Sequence, residues 1–329
     1  MATPRVLSGM RPTGRLHLGN YLGALKNWVA LQASCDCLFC VADWHALTTD
    51  YGDPSQITAN IREVVLDWLA AGIDPARSTL FVQSDVAAHA ELFLLLGMIT
   101  PTPWLERNPT FKDVQENLKD RDLTTYGFLG YPVLQAADIL IYRADQVPVG
   151  VDQLPHLELA REIARRFNHL YGETFPEPAA LMTEAPKMAG LDGRKMSKSY
   201  GNAIYLADDE ATVRAKMARA VTDTARVRRT DPGEPDHCPV FDFHRLYTPE
   251  GERDEVARGC RSAAIGCFDC KKLLCNHLWE ELGPIHQRRV ELAAAPGRIE
   301  ELLAAGAVVA RRAAEQTMAR VRAAMGLRR

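Results

Sequence analysis

Two short segments of the chain combine residue types that handle phosphate. The first, Gly9-Met10-Arg11-Pro12-Thr13-Gly14-Arg15-Leu16-His17-Leu18-Gly19-Asn20, is a turn that delivers small residues and one histidine to the start of a helix. Gly9 and Gly19 let a nucleotide approach the backbone there, and unpaired N–H groups together with the helix dipole favour an anion. His17 is placed to hydrogen-bond a phosphate whose charge grows in a transition state. The second segment, Lys195-Met196-Ser197-Lys198-Ser199, is preceded by Gly193-Arg194 and followed by Gly201-Asn202. Two ammonium groups on a loop of this kind suit the grip and release of a pyrophosphate leaving group. Alone, the first would pass for a turn and the second for an exposed basic loop; it is their joint presence and order that point to chemistry.

The late cysteines are a separate signal. Cys238, Cys260, Cys267 and Cys270 are separated by 21, 6 and 2 intervening residues, the last pair forming a CxxC. Four thiolates suit either Zn²⁺ or a [4Fe–4S] cluster, and spacing does not choose between them. Arg258, Arg261, Lys271 and Lys272 flank these thiols and are expected to contact phosphates. Cys275 stands outside the pattern, and alternation along a strand puts Cys35 and Cys37 on one face and Cys40 on the other.

The elements that must position these residues follow an α/β pattern of short apolar runs alternating with amphipathic helices over the first 160 residues. Residues 5–8, 37–42, 79–83 and 147–150 read as strands, and 20–32, 54–71, 133–142 and 154–171 as helices, which predicts a doubly wound sheet. After Gly172 the prolines at 176, 178 and 186 and the Gly- and Lys-containing loop mark a boundary. The remainder is Ala-, Arg- and Glu-rich and is expected to be helical, ending in two long amphipathic segments from Pro284 onwards.

Composition bounds the rest. With 329 residues, 47% hydrophobic and 25% charged, the chain is neither a disordered tail nor a fibre, and is long enough for about two domains without disulfides. The run from Leu92 to Ile99 falls far short of the ~18–20 apolar residues of a membrane span. The start carries no basic n-region followed by an apolar h-region, so a cytoplasmic protein is expected. A net charge of −3 argues against coating nucleic acid by charge alone. The basic residues are concentrated late, however: six against one acid between Arg214 and Arg229, and nine arginines against four glutamates from His286 on. A polyanion would dock in that third.

The two phosphate-handling segments resemble the HIGH and KMSKS signatures of class I aminoacyl-tRNA synthetases. The segments between them, Ala42-Asp43-Trp44-His45-Ala46-Leu47-Thr48, Tyr131-Pro132-Val133-Leu134-Gln135-Ala136-Ala137-Asp138-Ile139-Leu140 and Val147-Pro148-Val149-Gly150-Val151-Asp152-Gln153, are similar to those of bacterial tryptophanyl-tRNA synthetases. The resemblance runs over essentially the whole chain. It implies a Rossmann catalytic domain (1–188), the KMSKS loop (189–202), a smaller all-helical anticodon-binding domain with the cysteine cluster (203–300) and a C-terminal helix (301–329). It also implies a homodimer acting on tryptophan, ATP with Mg²⁺, and tRNA(Trp). The nearest rival is a tyrosyl-tRNA synthetase; beyond it stand a non-catalytic descendant and a metal-bearing nucleic-acid-binding module.

Residue roles follow from the same resemblance. Arg11, His17, Gly19 and Asn20 would meet ATP, with Arg11 standing where many members have Gln. Lys195 and Lys198 would hold the departing pyrophosphate, Met196 and Ser197 would meet ATP beside them, Lys112 would assist the phosphates, and Gly150, Asp152 and Gln153 would hold the nucleoside. Asp138 matches the residue that reads the indole N–H, with Tyr131, Gln135 and His45 lining the tryptophan pocket; Gln135 replaces a Met of other members. A subset of the family resembles the cysteine pattern and carries a [4Fe–4S] cluster, held here by Cys238, Cys260, Cys267 and Cys270.

Overall fold

The structure, a computed structural model, describes residues 3–107, 124–182, 188–295 and 297–328. Five strands, β1 (Arg5–Met10), β2 (Asp36–Val41), β3 (Ser78–Val82), β4 (Gln146–Val149) and β5 (Ala179–Met182), form one sheet in the order β3-β2-β1-β4-β5. Every pairing is parallel. Both faces of the central strands are buried, which is why β2 reads as a continuous apolar run. Cys37, Phe39 and Val41 enter the core on one face, while Leu38 and Cys40 enter the other. Cys35 packs with the Cys37 side, as strand alternation requires.

The first helix (residues 18–31) opens as a short α-turn at Leu18–Asn20, passes through a π-turn at Tyr21–Leu25 and ends as α-helix at Lys26–Leu31. The chain departs from the sequence reading in three places. The helix expected from residue 133 begins earlier, as Tyr126–Ile141, and runs through Pro132. Its start is capped by Thr125, whose side chain accepts from the Phe128 amide, and tertiary packing outweighs the hydrogen bond that Pro132 removes. β5 lies in the proline-bearing stretch read as a boundary; it is four residues long, sits at the sheet edge beside β4, and has no alternation to betray it. Finally, the two long terminal helices are Cys267–Ala293 and Gly297–Ala324, so Pro284 lies inside a helix and does not start one.

The helices Glu210–Ala218, Pro239–Tyr247, Glu250–Arg261 and Cys267–Ala293 follow the second signature. Leu274, Leu278, Leu282 and Ile285 of the long helix join the same core as Trp68 and Leu69 of the helix Ile57–Ala71. The last helix returns to the sheet, placing Ala307, Ala310 and Ala314 in the core beside Phe81. Gly306 makes this possible, because a Cβ there would overlap the Leu80 carbonyl of β3. Among the described residues no helix is long and apolar enough to cross a membrane.

Candidate active site

Strand order reverses between β1 and β4, and a crevice forms at the carboxyl ends of strands on either side of such a switch point. The first signature leaves β1 there. His17 caps the following helix: its Nδ1 accepts from the Asn20 amide at 3.3 Å, and the Asn20 Oδ1 accepts from the His17 amide at 3.1 Å. Burial first, then the nearby Lys198 charge, lowers the His17 pKa to about 4. The ring is therefore neutral at pH 7, and because Nδ1 accepts, the proton sits on Nε2, where it can be donated. A Cβ at position 19 would stand 3.0 Å from the His17 ring, so Gly19 is also the space in which that ring lies. The Asn20 side chain is already engaged in holding the turn.

The second signature folds onto the first. Lys198 Nζ donates to the Thr13 carbonyl (3.0 Å), the Thr13 hydroxyl (3.1 Å) and the Gly14 carbonyl (3.0 Å). Gly14 has φ +94°, a conformation side chains rarely tolerate. Burial lowers the Lys198 pKa to about 8. Lys195 is exposed, whereas Met196 is buried in the core and anchors the loop. The Ser197 amide donates to Asn202 Oδ1 at 2.8 Å, and Asn202 Nδ2 donates to Asp192 (2.7 Å) and the Lys195 carbonyl (3.2 Å). Asn202 thus clasps both ends of the loop, and Gly190 leaves room for it. Downstream, residues 16–18 hydrogen-bond to residues 204–206: the Leu18 amide to the Ile204 carbonyl and the Leu206 amide to the Leu16 carbonyl, both at 2.9 Å.

On the other side of the switch point, β4 ends at Val149 and Gly150 opens a 3₁₀ turn, Val151–Gln153. A Cβ at Gly150 would stand 2.7 Å from Asp152 Oδ1, so the carboxylate lies over the glycine, and Gln153 Nε2 donates to Asp152 Oδ2 at 3.1 Å. Arg11 is exposed, with Nη1 3.5 Å from the Thr49 hydroxyl. Lys112 lies outside the described residues.

Asp138 is the centre of a buried polar cluster. His45 Nε2 lies 2.9 Å from Oδ2, His89 Nδ1 2.6 Å from Oδ1, and Gln83 Nε2 2.8 Å from both oxygens. Burial raises the carboxyl pKa, but the His45 and His89 contacts outweigh it and hold Asp138 at about 2, so it is ionised. The Gln83 amide is oriented because its Oε1 accepts from the Trp44 amide at 3.1 Å, and His89 Nε2 is hydrogen-bonded to the Tyr142 hydroxyl at 2.7 Å. His45 meets Tyr131 edge-on at 6.5 Å, and the Tyr131 hydroxyl lies 3.1 Å from His156 Nε2. Gln135 is half-buried, one helical turn before Asp138. Sequence reasoning missed Gln83, His89, Tyr142 and His156. A polar residue at the carboxyl end of β3 and a histidine opening the apolar helix Ala88–Gly97 were the available signals.

The late thiols are neighbours. Cys270 lies within electrostatic reach of Cys238, Cys260 and Cys267, and burial first, then those thiols, pushes it up to about 12. His244 Nε2 is 3.2 Å from Cys270 Sγ, and Arg226 Nη1 is 3.9 Å from Cys260 Sγ. Among the described residues no three His, Cys, Asp or Glu side chains converge on a point that would hold a single metal ion. Two of the flanking cations are engaged within the protein. Lys271 Nζ donates to the Ala218 and Ala220 carbonyls at 2.9 and 2.6 Å, and Arg261 pairs with Glu234 at 2.8 Å, so a phosphate would have to compete with these partners.

Fold, switch point and paired signatures define a nucleotide-using synthetase, and the comparisons agree. The family description "tRNA synthetases class I (W and Y)" matches residues 2–282. The chain is 52% identical to the tryptophan–tRNA ligase of Thermotoga maritima, over 98% of this chain and 99% of that one. It is 46% identical to that of Aquifex aeolicus, over 98% of this chain and all of that one. The structure of Campylobacter jejuni tryptophanyl-tRNA synthetase complexed with ADP and tryptophan superposes with a TM-score of 0.88 at 34% identity, covering 98% and 100% of the two chains. The chain belongs to the class I tRNA synthetase family, in its tryptophan branch.

Proposed function

We propose that the protein is a tryptophan–tRNA ligase that activates tryptophan with ATP, releasing pyrophosphate, and then transfers tryptophan to its tRNA for protein synthesis. The observation that carries this reading is the docking of Lys198 on Thr13 and Gly14, within 3.1 Å, beside the neutral His17. The tryptophan carboxylate is ionised at pH 7 and needs no general base. Its oxygen forms the bond to the α-phosphorus while the bond to pyrophosphate breaks, and the leaving group takes the electron pair. Catalysis is therefore positioning and charge stabilisation. His17 Nε2–H and Arg11 face the phosphates, Lys195 and Lys198 take the pyrophosphate, and Lys112 assists. Gly150, Asp152 and Gln153 hold the nucleoside, the Asp152 carboxylate accepting from ribose hydroxyls, while Gly19 keeps the backbone open. Mg²⁺, when bound, neutralises phosphate charge. Asp138 reads the indole N–H, Tyr131 and His45 line the same pocket, and Gln135 contacts the tryptophan α-amino group. Amino-acid-dependent ATP–pyrophosphate exchange across all twenty amino acids tests this: tryptophan alone is expected to support fast exchange, and preference for tyrosine, or no exchange at all, would overturn it.

The reading extends to the rest of the chain. Residues 1–188 and 203–300 would act as catalytic and anticodon-binding domains, with 189–202 as the loop and 301–329 as a closing helix, in a cytoplasmic homodimer. Leu94, Met98 and Tyr126, exposed at 56%, 70% and 70%, supply an apolar surface for the second copy. Cys238, Cys260, Cys267 and Cys270 would hold a [4Fe–4S] cluster. The four thiols lie within electrostatic reach of one another, and the family resemblance supports the cluster, with Zn²⁺ the alternative that four thiolates equally suit. Anaerobically purified protein should then be brown, with about four iron and four labile sulfide per chain. Substitution of any one ligand should bleach it and weaken charging more than tryptophan activation, while Cys275→Ser leaves the colour intact. Colourless protein with one zinc would reject iron and keep the ligand set; no metal after anaerobic reconstitution would reject both.

A further inference from the structure

Asp67, in the helix Ile57–Ala71, is a fully buried carboxylate that no role above uses, with 0% exposure. Its Oδ2 accepts from the Leu16 amide at 2.6 Å, and its Oδ1 accepts from Arg289 Nε at 2.6 Å. Arg289, itself 9% exposed, donates through Nη2 to Glu63 Oε2 at 2.6 Å, and the same oxygen receives Arg15 Nε at 2.8 Å. Two acids of one helix therefore hold the two residues that precede His17, and one arginine from near the end of the long helix Cys267–Ala293 holds both acids. The neighbouring Arg288 Nε donates to the Ala70 carbonyl at 2.7 Å and keeps the two helices in register.

Stability alone is a weak reason for this arrangement, since a buried ion pair commonly contributes no more than apolar residues of the same volume. What it supplies is position. Among the described residues the Leu16 amide has no backbone acceptor, and Asp67 gives it one that is held in place by Arg289 at the other oxygen. The next residue is His17, and the Leu16 carbonyl accepts from Leu206, just beyond the second signature. Asp67 also lies close enough to Lys198 for its charge to favour the ammonium form.

We propose that Asp67 and Arg289 are positioning residues for adenylate formation: Arg289 orients the Asp67 carboxylate, which sets the Leu16 backbone and through it the His17 ring and the docked Lys198. This rests on the ligase reading. A displacement of 1 Å in a positioned group can lower a rate about 10²-fold. Asp67→Asn keeps the volume but sets an amide against either Leu16 or Arg289, and Arg289→Met keeps the stem and removes the fork.

The test is tryptophan-dependent ATP–pyrophosphate exchange with the full chain. Both variants should lower kcat about 10-fold or more, with KM for tryptophan unchanged, because the Asp138 pocket lies across the sheet; Arg289→Lys should recover part of the loss. Against a Lys198→Ala background, Asp67→Asn should cost less than it does alone, since two residues serving one arrangement are not additive. A lower melting temperature with kcat intact, or effects that simply multiply, would make the pair structural and overturn the proposal. If Asp67→Asn does not fold, Arg289→Met and Arg289→Lys still decide it. Absence of tryptophan-dependent exchange in the unaltered protein would instead reject the ligase reading.

Discussion

Lys198→Ala should lower the turnover of tryptophan-dependent ATP–pyrophosphate exchange about 10²-fold or more while leaving KM for tryptophan within about twofold. The ammonium already stands over the first signature, held by two carbonyls and a hydroxyl of Thr13 and Gly14. These acceptors are neutral, so an incoming polyphosphate replaces them with charged oxygens, and the gain is greatest when charge accumulates on the leaving group. The alanine variant loses that gain in the transition state more than in the ground state. The sign of the pH dependence follows. Burial lowers the Lys198 pKa to about 8, so in the free enzyme the group is charged below that pH and loses its charge above it. Apparent KM for ATP should rise as pH passes from 8 towards 9.5, and the Lys198→Ala enzyme should lose that rise. Equal loss of tryptophan affinity with an unchanged rate constant would remove Lys198 from the chemistry.

What was legible in the sequence is the chemistry that neighbours in sequence make together. His17 and Asn20 form their reciprocal cap within four residues, with Gly19 leaving room for the ring, and Lys195 to Ser199 form one loop, so residue type and spacing carry the information. That β1 to β4 exist and run parallel followed from apolar runs separated by helices, whereas β5 did not, because a four-residue edge strand lacks both length and alternation. Partners brought together from afar left no local trace. Gln83 and His89 are 55 and 49 residues from the carboxylate they hold, and Arg289 is 222 from Asp67. In each case the isolated residue looks like an ordinary polar side chain, and only the fold supplies its partner. Lys271 is a further case: its ammonium caps the Ala218 carbonyl that ends the helix Glu210–Ala218 and the Ala220 carbonyl just beyond it, partners 53 and 51 residues away in sequence.

The same distinction decides what to expect at Asp138. A site that hydrogen-bonds a substrate N–H rejects an analogue lacking it by roughly 10⁴-fold, so kcat/KM for tryptophan over phenylalanine should fall by about 10²-fold or more in Asp138→Ala. The carboxylate carries about four acceptor positions, and Gln83, His89 and His45 are already directed at its oxygens. His45 is the partner that also faces Tyr131, so theirs is the contact an indole N–H would share or displace. Asp138→Asn is the sharper variant. Its amide nitrogen would meet a donor at either oxygen position, because Gln83 Nε2 touches both and cannot flip while its Oε1 holds the Trp44 amide. That variant should therefore lose selectivity nearly as fully as the alanine, and should be destabilised by about 3–5 kcal/mol as a buried charge network is broken. The ratio of the two amino acids is the decisive reading, since a pocket that merely collapses loses rate with both. If the tryptophan-to-phenylalanine ratio survived in both variants while the rate fell, Asp138 would be a structural hub for His45, Gln83 and His89, and the indole would be read elsewhere.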